Sequence, residues 1–393
     1  MREPVELRRQ RILSVVRSRG AVKVSTLAAE LAVSVVTVRR DVEELARAGK
    51  LRRGHGVARP AEEVGGPGPS GGLPAPRSGD PAVDGGAVAL VVPERHSYLY
   101  ETLHGARSVL EESGIRTALH IAPRTPGGER PLVERALAAG ARGLLIAPHW
   151  RSAASQEADY GWLADVPVPT VLMERRPRAG SALHALDSVC SDHWYGVFLA
   201  VGHLVSLGHR RLVLAARDDS PTARTIRAAF AEIAAASPEV DDWSVVLSTP
   251  DAGPGPGPAE QSDPDGVVYS AVPAPHRGAP LDLAALLRAR GATGAVLHGD
   301  VDALMLVEKL AESGVRVPQD CSVVAYDDVV AALGSTPLSA VAPPKAEIGR
   351  AAAELLLHRL SEPAGSPGPV RRTELLPRLV VRGSAQVRGR TEE

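Results

Sequence analysis

The chain is 393 residues long, with 44% hydrophobic residues, 23% charged residues and two cysteines, the composition of an ordinary globular protein of two or three domains. No run approaches the roughly 20 apolar residues of a membrane-spanning helix. Arg2, Glu3, Glu6, Arg8, Arg9 and Arg11 leave no apolar core for a secretory leader, so the protein is expected in the cytoplasm. The formal net charge of −1 divides unevenly. Residues 1–59 hold fourteen Lys and Arg against six acids, a local charge of +8; the rest holds 31 basic and 40 acidic residues, or −9. A basic head on an acidic body fits a phosphate-binding module joined to something that does not bind nucleic acid. Cys190 and Cys321 are too far apart in the chain to suggest a metal or redox pair and read as packing residues.

The first elements are helical. Ser25 can cap a helix that carries Leu27, Ala28 and Leu31 at helical spacing, and Ala32-Val33-Ser34 breaks it. Ser34 can then cap a second segment, VVTVRRDVEELARAG, with Gly49 at its C′ position. On that helix Val38, Val42 and Leu45 form one stripe, and Thr37, Arg39 and Arg40 point elsewhere near its N-terminal end. A recognition helix reads base edges from that end, where an arginine can bind guanine in bidentate fashion. Lys50-Leu51-Arg52-Arg53-Gly54-His55-Gly56-Val57 follows and reads as a small basic β-wing. The plainer reading is a small helical domain with a solvated basic face.

Residues Val33-Ser34-Val35-Val36-Thr37-Val38-Arg39-Arg40-Asp41, followed by Leu45, Gly49, Leu51, Arg53, His55 and Gly56, resemble the winged helix-turn-helix of the DeoR family of bacterial regulators. The resemblance covers about 55 residues. It implies that Ser34, Thr37, Arg39 and Arg40 contact DNA and that Arg52, Arg53 and His55 support them from the wing. His55 is equally well read as a turn residue, and Asp41 as an organiser of the arginines.

Residues 60–86 are dominated by Pro and Gly and show no apolar periodicity, so they read as a flexible linker. As a random coil, 27 such residues span roughly 30 Å. The stretch at 249–280 has the same character and reads as a loop inserted in a larger domain.

From residue 87 strand-like and helix-like segments alternate. AVALVV (87–92), RTALHI (116–121), GLLIA (143–147), TVLM (170–173), RLVLAA (211–216), AVLH (295–298) and SVVAY (322–326) are the apolar runs, with helices expected around 98–113 and 129–139. This predicts an α/β architecture of doubly wound parallel sheets, and the length of 87–385 predicts two lobes. In such sheets ligands sit beyond the carboxyl ends of the strands. That rule selects Tyr98, Glu174, Asp300 and Asp327 as effector-binding candidates, with Arg224 or Arg227, in a helix ending at Phe230, as the matching donor. Each has a bland alternative: a carboxylate closing a strand can cap the next helix, a helical arginine can be a solvated charge, and Tyr98 can pack against its own lobe.

Three segments in this body resemble the effector-binding domain of the LacI/GalR family, which is similar to periplasmic sugar-binding proteins. They are His203-Leu204-Val205-Ser206-Leu207-Gly208-His209-Arg210-Arg211, preceded by Asp187 at the end of a strand; Leu310 through Asp328; and Pro337-Leu338-Ser339-Ala340-Val341, leading into a helix from Lys345. The resemblance implies a periplasmic-binding-protein-like fold with a ligand cleft between two Rossmann-like lobes. The chain departs from the family pattern in three places. Gly299 and Ser188 stand where Asn is common, and Ile226 stands where an arginine lines the cleft.

The chain is therefore expected to be a sequence-specific DNA-binding regulator, a repressor under the control of a sugar-like effector, dimeric through its sensor. Operator DNA and a small molecule are its expected partners, with no membrane, cofactor or metal. Two other readings compete: a constitutive dimeric regulator with a degenerate cleft, and a sugar- or nucleotide-acting α/β enzyme. No phosphate loop, G-x-S-x-G elbow or metal-ligand cluster supports the enzyme.

Overall fold

In the computed structural model the chain divides into two compact units, Met1–Pro81 and Ala82–Glu393. The structure describes residues 9, 12, 15–16, 22–23, 26–28, 33, 35–47, 51–54, 57–60, 86–94, 97–123, 125, 127–150, 158–217, 220–248, 281–363 and 368–388. The Pro/Gly-rich stretch between 61 and 85 and the segment 249–280 lie outside them.

The first unit is built around helix α1 (Val35–Arg47) and a sheet of β1 (Val22–Lys23), β2 (Leu51–Gly54) and β3 (Val57–Pro60) in the order β1-β3-β2. Residues 26–28 are helical, and Val33 N–H donates to the Ala28 carbonyl at 3.1 Å, closing the turn that leads to α1. The apolar stripe Val38, Val42 and Leu45 is buried against Ile12, Val16, Leu27, Ala28 and Leu51, the core of this unit. β2 and β3 form an antiparallel hairpin that pairs Leu51 with Pro60 and Gly54 with Val57. This is the expected wing; β1, joined antiparallel to β3, was not legible in the sequence. Pro60, which the composition assigned to the linker, is the last residue of β3.

The second unit holds two six-stranded sheets. The N-lobe sheet has the order β14-β8-β7-β6-β4-β5 and consists of β4 (Val88–Pro93), β5 (Thr117–Ala122), β6 (Gly143–Ile146), β7 (Thr170–Met173), β8 (Asp187–Ser191) and β14 (Arg372–Leu375). All its pairings are parallel. The C-lobe sheet has the order β10-β9-β11-β12-β13-β15. It consists of β9 (Arg211–Ala216), β10 (Asp242–Leu247), β11 (Gly294–Leu297), β12 (Ser322–Tyr326), β13 (Ser339–Ala342) and β15 (Arg378–Val380). It is parallel except for β15, which runs antiparallel to β13. Central strands such as β4, β6, β7 and β12 are buried at every position, as continuous apolar runs covered on both faces must be.

Helices α2 (Tyr100–Glu112), α3 (Arg130–Ala138) and α8 (Lys345–Ser361) pack on the N-lobe. Helices α4 (His193–Ser206), α5 (Pro221–Ala236), α6 (Leu283–Arg290) and α7 (Asp300–Glu312) pack on the C-lobe. The chain thus passes between lobes three times, from β8 to α4, from β13 to α8 and from β14 to β15. No helix among the described residues is long and apolar enough to cross a membrane.

Two sequence details are corrected. Asp187 opens β8 rather than ending a strand, because its carboxylate is engaged at the start of that strand by Arg359. Helix α5 does not stop at Phe230 but runs on to Ala236, because Ala234 continues its buried face.

α2 and α8 meet at glycines. A Cβ on Gly349 would lie 1.8 Å from the Thr102 carbonyl oxygen, and one on Gly105 would lie 2.1 Å from that of Ala346. Backbone atoms cannot yield as a side-chain tip can, so a single methyl forces the helices apart. Gly349→Ala is expected to destabilise the second unit by about 1–3 kcal/mol, read as a lower urea midpoint.

The motif His203–Arg211 serves the C-lobe. His209 Nδ1 lies 3.0 Å from Thr293 Oγ1 and its Nε2 3.2 Å from the Gln386 carbonyl. It therefore pins the C-terminal segment, which Ser384 also ties to Ser339 and Val323.

Candidate effector cleft and nucleic-acid interface

On α1 the side chain of Arg40 is exposed and that of Thr37 half-buried, two and one residues from the buried Val38. Arg39 lies in the same helix, and Arg52 and Arg53 in β2, while Ser34 and His55 lie outside the described residues. Asp41, 3% exposed, accepts a hydrogen bond from Arg9 Nε at 3.1 Å. This carboxylate faces inward and, through Arg9, ties α1 to the N-terminal helical segment.

In the second unit the carboxyl ends of β4, β7, β9, β11 and β12 converge on a cavity of about 210 Å³ that both lobes line. Tyr98, Asp300 and Asp327 line it, as the strand-end rule predicts; Arg224 and Arg227 do not. Arg227 is buried with its guanidinium donating to the Arg217 carbonyl. Arg175 and Arg217, one residue or two beyond the ends of β7 and β9, line the cavity instead. The same rule would have found both, had it been applied to cations as well as to carboxylates.

Glu174 lies beneath this surface. Its Oε1 accepts from Tyr98 OH at 2.7 Å and from Ser191 Oγ at 3.0 Å, and its Oε2 accepts from Ser191 N–H at 3.1 Å. The residue takes the left-handed region, φ 51°, to turn its carboxylate this way. Burial, and then the charge of Glu174, push the Tyr98 phenol well above its ordinary pKa, so it stays a donor. His193, at the β8–α4 crossing, has Nε2 3.8 Å from Glu174 and Nδ1 3.2 Å from Tyr326 OH; burial lowers its pKa.

Asp300 opens α7, and its Oδ2 accepts from the backbone N–H groups of Val329, Val330 and Ala331. It holds the loop after β12 in place. Gly299 before it sits at φ 81° and ψ 105°, a conformation that favours glycine. The departure from Asn there thus follows from the local backbone. Asp302 and Arg217 approach to 3.5 Å.

Asp327 follows β12 at φ 99°. Its backbone carbonyl accepts from Lys345 Nζ, and Lys345 also lies 5.4 Å from the Tyr98 ring centre. Its Oδ1 is enclosed and has no hydrogen-bond partner among the described residues. Burial of the charged form, reinforced by Asp300 and opposed by Lys345, raises its pKa to about 7. An unfolded aspartate titrates near 3.9. The folded state therefore holds the proton more tightly, and this contribution to stability is full at low pH and lost as pH rises from about 4 to about 7. Asp327→Asn is expected to flatten that fall, so that melting temperatures compared at about pH 5 and pH 8 differ less than in the parent.

Family models match two parts of the chain: a DeoR-like helix-turn-helix domain over residues 8–64 and a periplasmic binding protein-like domain over residues 201–385. The HTH-type transcriptional repressor PurR of Haemophilus influenzae (strain KW20) is 27% identical over 222 residues, 56% of this chain and 58% of that repressor. The chain thus spans little more than half the length of that relative. The HTH-type transcriptional regulator MalR of Streptomyces coelicolor is 29% identical over 307 residues, 76% of this chain and 80% of MalR. Among solved structures, the lac repressor dimer bound to operator and the anti-inducer ONPF superposes with a TM-score of 0.59 at 19% identity, covering 78% of this chain and 96% of that one. A LacI family regulator from Enterococcus faecium with bound ribose gives 0.56 at 21% identity, covering 77% and 100%. At those identities the likeness is one of fold. The chain thus joins a segment that matches a DeoR-like helix-turn-helix domain to one that matches a periplasmic binding protein-like domain.

Proposed function

We propose that this protein is a transcription repressor that grips operator DNA with residues 1–59 and responds to a small molecule bound between the lobes of residues 87–385. The observation that carries the reading is the exposed Arg40 on the helix after the turn, in a chain whose other unit has a cleft between two lobes with charged side chains in its lining. Ser34, Thr37, Arg39 and Arg40 contact the DNA, supported by Arg52, Arg53 and His55 of the wing. Tyr98, Asp300 and Asp327 face the effector, with Glu174 holding Tyr98 from behind. Relatives of similar sequence are named as regulators, which favours this reading over an enzyme. Dimerisation through the sensor, joined to the heads by residues 60–86, raises the effective concentration of one head when its twin is bound. The ligand then acts by changing lobe closure and dimer geometry.

The test is operator binding by the full chain, measured by fluorescence anisotropy on a duplex it selects from a random pool, with and without a metabolite panel. A change of affinity with one metabolite supports ligand control, and failure to select any duplex sinks the DNA-binding reading. A second reading, a constitutive regulator, is favoured by one observation: Glu174 and Asp300 already have protein partners for their carboxylates. Selection of a duplex with no metabolite response would favour it.

A further inference from the structure

The chain enters the second unit at the edge of the N-lobe sheet where its strands begin. A Cβ on Gly86 would lie 1.9 Å from the Gly140 carbonyl oxygen, and the Ala87 carbonyl accepts from the Arg142 N–H at 3.0 Å. That edge collects arginines. Arg116 and Arg142 stand one residue before β5 and β6, and Arg371 and Arg372 stand at the start of β14. β14 and β5 are the outer strands of the sheet, so these cations mark both ends of the edge. At the spacing of neighbouring strands the two ends are about 24 Å apart.

Arg371 and Arg372 are exposed yet held in place. The Arg371 backbone N–H donates to Asp187, its Nη2 lies 2.8 Å from His358 Nε2, and Arg372 Nη2 donates to the His184 carbonyl. Arg116 is exposed, and the enclosed Nε of the half-buried Arg142 has no hydrogen-bond partner among the described residues. None of these four side chains meets a carboxylate among the described residues, while Arg359 takes up both Asp187 and Glu362. Glu112 and Asp165, which close α2 and the turn before β7, offset only part of the charge. The matching edge of the C-lobe differs: there Arg290 faces Asp242 at 3.4 Å and Arg316 faces Asp320 at 2.8 Å.

Helix ends do not account for these arginines. α2, α3 and α8 finish at this edge, and cations stabilise helix C-termini. The last turns of α3 and α8 already hold Arg135, His358 and Arg359, so the arginines that open strands are surplus to that need. The head does not fit the edge either, because residues 1–59 carry a charge of +8. A polyanion fits both.

We propose that this edge is a second DNA-binding surface, on which Arg116, Arg142, Arg371 and Arg372 hold the phosphate backbone of the duplex that the head has selected. This rests on the proposed DNA-binding role of the head. At the spacing of phosphates along one strand, the edge spans about seven base pairs. Phosphate contacts carry no sequence information, so the edge adds affinity and leaves the choice of sequence to the head. The tether of residues 60–86 ends on this edge, which makes the second contact intramolecular once the head is bound.

The experiment is fluorescence anisotropy of the full chain on the duplex it selects, at several salt concentrations, beside urea unfolding of the same proteins. Arg371→Gln with Arg372→Gln, and Arg116→Gln with Arg142→Gln, should each weaken binding about fivefold or more and lower the salt slope by about two. The preference for the selected duplex over a scrambled one should not change. Lysine at the same pairs should restore most of the affinity, which separates charge from packing and covers a glutamine variant that fails to fold. Arg210→Gln, on the C-lobe edge, should bind as the parent does. Glutamine pairs that fold and keep the parental affinity and salt slope overturn the inference, whether or not their urea midpoint falls. An equal loss from Arg210→Gln, a loss that lysine does not reverse, or an altered preference between duplexes overturns it as well. If the parent selects no duplex, the regulator reading falls and this inference with it; unchanged binding by the variants leaves that reading standing.

Discussion

Asp187→Ala should unfold the second unit at a markedly lower urea concentration, with a loss of about 3–5 kcal/mol. Asp187 opens β8 with its side chain 5% exposed and receives Arg359 in two places, Nε to Oδ2 at 2.5 Å and Nη2 to Oδ1 at 2.9 Å. The Arg371 N–H adds a third bond to Oδ1 at 2.6 Å. Arg359, 11% exposed, stands in the last turn of α8 and also donates to the Gly368 and Pro369 carbonyls. One ion pair thus joins the end of α8, the start of β8 and the segment that enters β14. Removing the carboxylate leaves a part-buried guanidinium that keeps Glu362 at 3.0 Å as counter-charge, which holds the loss toward the lower end of that range. Asp187→Asn retains an acceptor for the amide and should lose less. All four tryptophans, Trp150, Trp162, Trp194 and Trp243, belong to this unit, so their fluorescence follows its unfolding alone. A midpoint within about 0.5 kcal/mol of the parent, the range of ordinary surface substitutions, would show that the pair is not a fastener.

That pair also shows where sequence reading stops. β7, β9 and β12 are legible to the residue because a strand covered on both faces reads as a nearly continuous apolar run, and TVLM, RLVLAA and SVVAY, each apolar after its first residue, have no competing period. Asp187 and Arg359, 172 residues apart, carry no such local mark. β14 and β15 are equally obscure, since RTEL and RLV are half-exposed and take their strand form from their neighbours in the sheet. In the cleft, strand ends disclosed Tyr98, Asp300 and Asp327 because the topology makes every strand end a candidate. Whether a carboxylate there is spent or open is a matter of three dimensions. Asp300 is consumed by amides of residues 329–331, which the sequence places thirty positions away, and Asp327 is left open by the same fold.

Arg40→Ala should weaken binding to the selected duplex by about 1–3 kcal/mol, about 5- to 150-fold, if the guanidinium makes a bidentate contact to a base. The geometry of α1 argues for it. Val38, Val42 and Leu45 commit one face to the core, and Asp41 is turned inward to Arg9, which leaves Arg40 exposed in the N-terminal half of the helix. Since that side chain is exposed, its truncation leaves the core intact, and the weaker binding reports on DNA rather than on folding. Asp41→Ala supplies the contrast: it removes the partner of Arg9 and should lower the melting temperature of the first unit, followed by far-ultraviolet circular dichroism of a fragment ending at residue 81. Anisotropy titrations at several salt concentrations separate two roles for the guanidinium. If Arg40 reads a base, its truncation relaxes discrimination at one base pair of the duplex; if it binds a phosphate, the variant binds every sequence more weakly alike and the salt slope falls by about one charge. Unchanged affinity at every salt concentration would remove Arg40 from the interface and shift the reading of bases to Thr37 and Arg39.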